Sequence, residues 1–251
     1  MKNKHNIRKA AVLGAGVMGA QIAAHFANAG IPVTLFDLPS EGSDKNKIID
    51  TAIKMLGKLK PAPLGVKSAA KLIEAANYDE DLNKLSQTDL IIEAVAERMD
   101  IKKSLYDKIE DYVNESAIFA TNTSGLSINS LAEVFPESLK QRFCGVHFFN
   151  PPRYMHLVEI IPAKTTEASV IDDLTEFLTT TLGKGVVNAK DTPNFIANRI
   201  GVFSIICTIY HGMKFKIPLE TVDALTGTLI GRAKSATFRT ADVVGLDTLN
   251  H

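Results

Sequence analysis

Six residues near the amino terminus restrict what this chain can fold into more than any other feature. Gly14-Ala15-Gly16-Val17-Met18-Gly19 spells G-x-G-x-x-G, and it stands between two segments of different period. Before it, Arg8 to Leu13 is a short apolar run of the kind that forms a buried strand. After it, Val17 to Ala29 repeats Met18, Ile22 and Phe26 every four residues, the spacing of one helix face. Gly30 follows in the position that closes a helix, and Pro32 to Asp37 is a second β-type run ending in a carboxylate. Strand, glycine-rich turn, helix and strand within about 30 residues make one βαβ unit, and its parallel pairing belongs to a doubly wound α/β sheet.

Each glycine has a separate task in such a unit. Gly14 permits the tight turn, Gly16 lets a pyrophosphate approach the backbone, and Gly19 allows the helix to pack closely on the sheet. Val17 and Met18 open the helix, where unpaired N–H groups face the phosphates. Asp37, 18 residues beyond Gly19, is placed to accept hydrogen bonds from an adenosine ribose. A carboxylate there repels a 2′-phosphate and no arginine follows it in Leu38-Pro39-Ser40, so the expected cofactor is NAD rather than NADP.

The α/β alternation continues to about residue 190. Residues 38 to 88 are charged and read as a helical insertion at about 40–85, with Pro61 and Pro63 separating helices at Asp44 to Lys60 and Val66 to Ala76. Strands are predicted at Leu90 to Val95, Ala117 to Thr121, Phe143 to Phe148, Leu157 to Ile161 and Val186 to Asn188. Helices are predicted at Asp100 to Val113 and along Val170, Leu174, Leu178 and Leu182. After Asp191-Thr192-Pro193 only helical patterning remains. The expected organisation is therefore a Rossmann-like α/β domain over 1–190 and a short all-helical domain over 191–251, the latter incomplete because Asn250-His251 falls inside a helical pattern.

Composition removes several classes of function. The 28 basic residues balance the 28 acidic ones, which argues against a protein held to nucleic acid mainly through phosphates. Cys144 and Cys207 lie far apart without a Cys-x-x-Cys pair, so neither a disulfide framework nor a metal site is expected, and a reducing cytoplasm is the default location. Lys2, Lys4, Arg8 and Lys9 before an apolar run imitate a secretory signal, but three glycines interrupt that run and no convincing cleavage site follows it. Ile200 to Ile209, the longest other apolar stretch, is far below the roughly 20 residues of a membrane span.

One strand carries a candidate for chemistry. In Leu157-Val158-Glu159-Ile160-Ile161, Glu159 shares its face with Leu157 and Ile161, which points to a buried carboxylate. A buried charge needs a partner, and His147 on the preceding strand is the nearest candidate. Glu159 would fix the imidazole tautomer and leave the other ring nitrogen to remove a proton. A satisfied core histidine beside an unrelated glutamate is the competing reading. Thr121-Asn122-Thr123-Ser124-Gly125 follows an apolar strand at the sheet edge where ligands bind in open α/β folds, although such a segment also serves as a turn. Asn198 and Arg199 lie inside an apolar helical stretch, where asparagine is a poor helix former.

Taken in order, Gly14 to Gly19, Thr121 to Ser124, His147-Phe148-Phe149-Asn150-Pro151, Leu157-Val158-Glu159 and Asp191 to Arg199 resemble the 3-hydroxyacyl-CoA dehydrogenase family over nearly the whole chain. The resemblance implies that His147 is the general base and Glu159 its partner, that Ser124 and Asn198 hydrogen-bond the substrate's 3-oxygen, and that Glu97 and Lys102 lie near the nicotinamide end of NAD. It implies an acyl-CoA thioester substrate in fatty-acid β-oxidation and a homodimer formed through the helical domain. The CoA arm would lie along the segment bearing Lys54, Lys58, Lys60, Lys67 and Lys71, with no one lysine assigned. Asn194 stands where the family often has glycine and is expected to cap a helix start. Pro152 to His156 and Phe238 to Asp247 are similar to the long multifunctional fatty-acid oxidation proteins.

Other readings stay open. Tyr210 and Lys214 form the Tyr-x-x-x-Lys of short-chain dehydrogenases, but their all-helical setting and the glycine spacing do not suit that class. A dehydrogenase of another small 3-hydroxy acid, or a non-catalytic NAD-binding fragment, is separated from the first reading by turnover.

Overall fold

The computed structural model describes residues 6–244. Lys2, Lys4, Asn250-His251 and the Gly245 to Asp247 part of the terminal motif lie outside them. The described chain divides into two compact units, Met1–Pro193 and Asn194–His251.

The first unit is built on an eight-stranded sheet: β1 (Ala10–Leu13), β2 (Val33–Asp37), β3 (Ile73–Asn77), β4 (Leu90–Glu93), β5 (Ile118–Thr121), β6 (Phe143–Phe148), β7 (Leu157–Pro162) and β8 (Gly185–Asn188). Their order is β3-β2-β1-β4-β5-β6-β7-β8. Every pair is parallel except β6 with β7. The order reverses at β1, which pairs with both β2 and β4, and this is the switch point at which ligands bind in doubly wound folds.

The helices of this unit are α1 (Val17–Asn28), α2 (Lys47–Leu56), α3 (Met99–Ile109), α4 (Ile128–Val134) and α5 (Ala168–Glu176). One face of the sheet packs an aliphatic core in which Val12, Ile92, Val146, Val158 and Ile160 meet Ile22 and Phe26 of α1 and Leu174 of α5. The other face is aromatic, with Tyr106 of α3 edge-on to Phe119, Phe135 and Phe143. Together these faces leave most strand residues wholly buried, which is why the strands read as apolar runs rather than alternating patterns.

The segment expected to be a helical insertion is different. Val66 to Ala76 forms a 3-10 turn at Lys67–Leu72 and then β3, an edge strand in parallel register with β2. Alanine and lysine favour a helix there, but Ile73, Ala76 and Asn77 are buried by pairing and packing, and tertiary contact overrides propensity. The preceding helix is shorter than predicted, Lys47–Leu56. The short helix α4 was not anticipated. Its start is capped by Ser127, whose side chain accepts the Ser130 N–H. Asp191, at the far end of the unit, reinforces it by accepting the Ile128 and Asn129 N–H groups at 2.9 Å and the Ser127 hydroxyl at 2.7 Å. Burial works to raise the Asp191 pKa, but these donors outweigh it and hold the carboxyl below its usual range.

The second unit holds α6 (Ala197–Lys214), α7 (Leu219–Thr226) and α8 (Phe238–Val244). Asn194 does not cap α6, which starts without a side-chain cap. It adopts φ 60° instead, a left-handed conformation that glycine takes freely and asparagine tolerates. Among the described residues no helix is long and apolar enough to cross a membrane.

His25 on α1 gives the first unit an acid-sensitive position. Burial, reinforced by the Lys184 charge, lowers its pKa from 6.5 to about 4. The folded state therefore keeps the ring neutral, whereas the unfolded chain takes up a proton as the pH falls below 6.5. Stability present above pH 6.5 is lost between there and pH 4, by up to roughly 3 kcal/mol. Urea unfolding at several pH values should give a steeper loss over this window for the wild type than for His25→Gln, and equal slopes would contradict the assignment.

Candidate active site

The glycine turn is shaped as the sequence requires. Gly14 adopts φ 102°, and a Cβ there would meet the Ala94 carbonyl at 2.7 Å. A Cβ on Gly19 would fall 1.8 Å from the Gly14 carbonyl oxygen, so α1 approaches β1 more closely than any side chain allows. A Cβ on Gly16 would meet nothing within 4 Å. Val17, in the first turn of α1, is 69% exposed, and Met18 is half-buried. The space over Gly16 thus opens onto the helix start, where amide groups lack intrahelical partners.

Beside this turn is a cavity of about 710 Å³, lined by Gly14, Gly16, Asp37, Tyr78, Ala94 and Ile101 among others. It lies at the carboxyl ends of β1, β2 and β4. Asp37 accepts the Ala15 N–H at 2.6 Å and the Leu38 N–H at 2.7 Å, which fixes its carboxylate at the cavity wall. Tyr78, also on that wall, has a buried hydroxyl without a hydrogen-bond partner. An open pyrophosphate cradle, an adjoining cavity and a carboxylate at the end of β2 suit a dinucleotide whose ribose lacks a 2′-phosphate.

The carboxyl edge of the sheet continues through β4, β5 and β6. Glu93, Thr121 and Gly145 are register neighbours on one face, and His147 stands one pleat farther along β6. Because β7 returns antiparallel, it brings Glu159 directly opposite His147. His147 Nδ1 and Glu159 Oε2 are 2.9 Å apart, with the two side chains 6% and 0% exposed. The imidazole also packs on Phe149, ring centroids 4.4 Å apart. Asn122 Oδ1 accepts the Phe148 N–H at 2.9 Å and so ties the loop after β5 to the end of β6.

Ser124 is exposed on a turn that one carboxylate organises. Glu97 Oε1 accepts the Thr123 hydroxyl and the N–H groups of Ser124 (2.9 Å), Gly125 (2.7 Å) and Leu126 (3.2 Å). Burial pushes the Glu97 pKa up, but these donors and the Lys102 charge bring it below the usual carboxylate range. Lys102 is itself 1% exposed and places its ammonium on Glu93, at 2.6 and 2.8 Å from the two oxygens. Asn198 lies in the first turns of α6 in the second unit, half-buried. Tyr210 and Lys214 are on the same helix, Tyr210 60% exposed.

Two contributors escaped the sequence reading. Glu93 carries the same signal as Glu159, a carboxylate inside an apolar strand, and could have been found by it. Asp191 reads only as part of a motif, since its capping of α4 joins residues more than sixty positions apart.

Residues 9–192 match the family described as 3-hydroxyacyl-CoA dehydrogenase, NAD binding domain. A probable 3-hydroxyacyl-CoA dehydrogenase of Deinococcus radiodurans is 48% identical over 98% of this chain and 71% of its own length. A putative fatty acid oxidation complex trifunctional enzyme of Rickettsia prowazekii is 38% identical over 98% of this chain, which spans only 34% of that protein. Among solved structures, the (S)-3-hydroxybutyryl-CoA dehydrogenase PaaH1 of Ralstonia eutropha superposes with a TM-score of 0.80 at 30% identity, covering 98% of this chain and 85% of the other.

The second and third glycines of the turn separate folding from binding. Gly19→Ala forces a methyl into the Gly14 carbonyl and should cost at least roughly 2 kcal/mol in urea unfolding. Gly16→Ala should unfold as the wild type does while NADH affinity, read by fluorescence titration, falls roughly tenfold. Equal stability of the two variants would contradict this account of the turn.

Proposed function

Because the chain belongs to the 3-hydroxyacyl-CoA dehydrogenase family of NAD-dependent oxidoreductases, we propose that it oxidises 3-hydroxyacyl-CoA thioesters to 3-oxoacyl-CoA in fatty-acid β-oxidation, with His147 and Glu159 as its proton-transfer pair. The observation that carries this reading is the 2.9 Å contact of His147 Nδ1 with a fully buried Glu159, at the sheet edge where the dinucleotide cradle also opens.

Oxidation of a secondary alcohol removes a proton from oxygen and a hydride from carbon. Bound NAD supplies the hydride acceptor. The protein manages the proton. Glu159 has no solvent to stabilise its charge, so it orients the ring with Nδ1–H toward itself and stabilises the imidazolium that forms when Nε2 takes the hydroxyl proton. In the reverse direction the same imidazolium donates to the ketone oxygen. Ser124 and Asn198 are assigned to hydrogen-bond that 3-oxygen.

The dinucleotide is assigned to Gly14, Gly16, Val17, Met18 and Gly19 at its pyrophosphate and Asp37 at its adenosine ribose. Glu97 is assigned to the nicotinamide end, with Lys102 acting from behind it, since the Lys102 ammonium faces Glu93 and Glu97. The lysines between Lys54 and Lys71 are all exposed and suit the CoA phosphates collectively. A second copy of the chain is the assigned cover for α6, where Ile200, Phe203, Ile206, Tyr210 and Met213 are each more than half exposed.

His147→Gln keeps a polar side chain but cannot cycle a proton. Its rate with acetoacetyl-CoA and NADH should fall by roughly 10²–10⁴-fold, while NADH affinity stays at the wild-type value. Loss of NADH binding in parallel with rate would remove His147 from the proton-transfer role.

A further inference from the structure

The carboxylate at the end of β4 is heavily engaged, yet no step above uses it. Glu93 is 0% exposed. Besides the Lys102 ammonium, it accepts the Tyr106 hydroxyl at 3.0 Å, the Thr121 hydroxyl at 2.8 Å and the Val95 N–H at 2.8 Å. Burying such an ion pair is a poor route to stability, because apolar residues of similar volume generally do as well. What a fully satisfied buried network does provide is fixed position.

The position it fixes can be traced in two directions. Through Lys102, whose Nζ lies 3.8 Å from Glu97 Oε2, Glu93 reaches the carboxylate that gathers the amides of Ser124, Gly125 and Leu126. Through Thr121, whose hydroxyl oxygen also accepts the Thr123 N–H at 3.4 Å, it reaches the start of the same turn. Both routes end on the segment that carries Ser124.

We propose that Glu93 is a positioning residue for the reaction: it takes the Lys102 ammonium at 2.6 and 2.8 Å, leaving it 3.8 Å from Glu97, and anchors Thr121, and so sets the turn that presents Ser124 to the substrate's 3-oxygen. This rests on the assignment of Ser124 given above. The physical step is a competition for one ammonium. While Glu93 neutralises Lys102, Glu97 keeps an oxygen for the turn's amides. Without the Glu93 charge, Glu97 is the nearest anion to a buried ammonium and is drawn toward it, off the amides. Glu93 touches neither substrate nor cofactor in this scheme.

The test is a double-mutant cycle on the full chain. Glu93→Gln should lower kcat for acetoacetyl-CoA reduction by roughly 10–100-fold, the effect of a misplaced contact group. In a Ser124→Ala background the same change should cost no more than about 3-fold, because the contact it positions is already gone. ADP-ribose affinity, measured by calorimetry, should not change. Should Glu93→Gln fail to fold, Thr121→Val cuts the second route, and its smaller kcat loss should likewise vanish in the Ser124→Ala background. A purely structural role predicts equal losses in both backgrounds, and that result, or an unchanged kcat, would overturn the inference alone. A wild-type chain that binds ADP-ribose but never reduces the thioester would overturn the proposed function and this inference with it.

Discussion

The contact between Gly19 and the Gly14 carbonyl decides where everything else in the first unit can go. With no room for a methyl group between them, α1 is seated on β1 at backbone distance, and its unpaired amides are held over the carboxyl edge of the sheet. Since β1 to β6 are mutually parallel, that same edge collects the ends of five further strands. Asp37, Glu93, Thr121 and His147 all lie at or near it. β7, which with β8 runs opposite to the other six strands, then returns Glu159 to the edge from the opposite direction. The cradle and the His147–Glu159 contact are thus consequences of one topology.

The division of labour between the two faces of the sheet follows from what each packs against. The face toward α1 and α5 is mainly aliphatic, with Phe26, Phe148 and Phe177 among its members. The opposite face has an aromatic floor around Tyr106 and gives way to a polar cluster at the carboxyl edge. Tyr106 belongs to both regions, with its ring among Phe119, Phe135 and Phe143 and its hydroxyl on Glu93. Buried carboxylates are tolerated here because each has donors at hydrogen-bond distance, and the donors come from the elements that most need fixing.

Much of this is legible in the sequence where local period and buried chemistry agree. The βαβ unit and its acid are readable because strand, turn and helix each carry their own signal within thirty-odd residues. The His147–Glu159 pairing is readable because a carboxylate in an apolar strand demands a partner and the preceding strand offers one. β3 is not readable: Ile73-Glu74-Ala75-Ala76-Asn77 has helix-forming alanines and becomes a strand only through its register with β2. Asn194 is misread for a related reason, since its residue type fits both a helix cap and a left-handed turn, and only the backbone decides. Glu93 shows that the buried-carboxylate argument, applied to every strand, reaches a residue that motif resemblance passes over.

The central claim is that this arrangement performs redox chemistry on a 3-oxoacyl thioester. The most direct measurement is NADH oxidation by the chain with acetoacetyl-CoA, followed by near-ultraviolet absorbance beside free acetoacetate at the same concentration. Oxidation that depends on the thioester is the predicted result. In a folded sample shown to bind NADH, no oxidation of either compound, or equal oxidation with both, would contradict it.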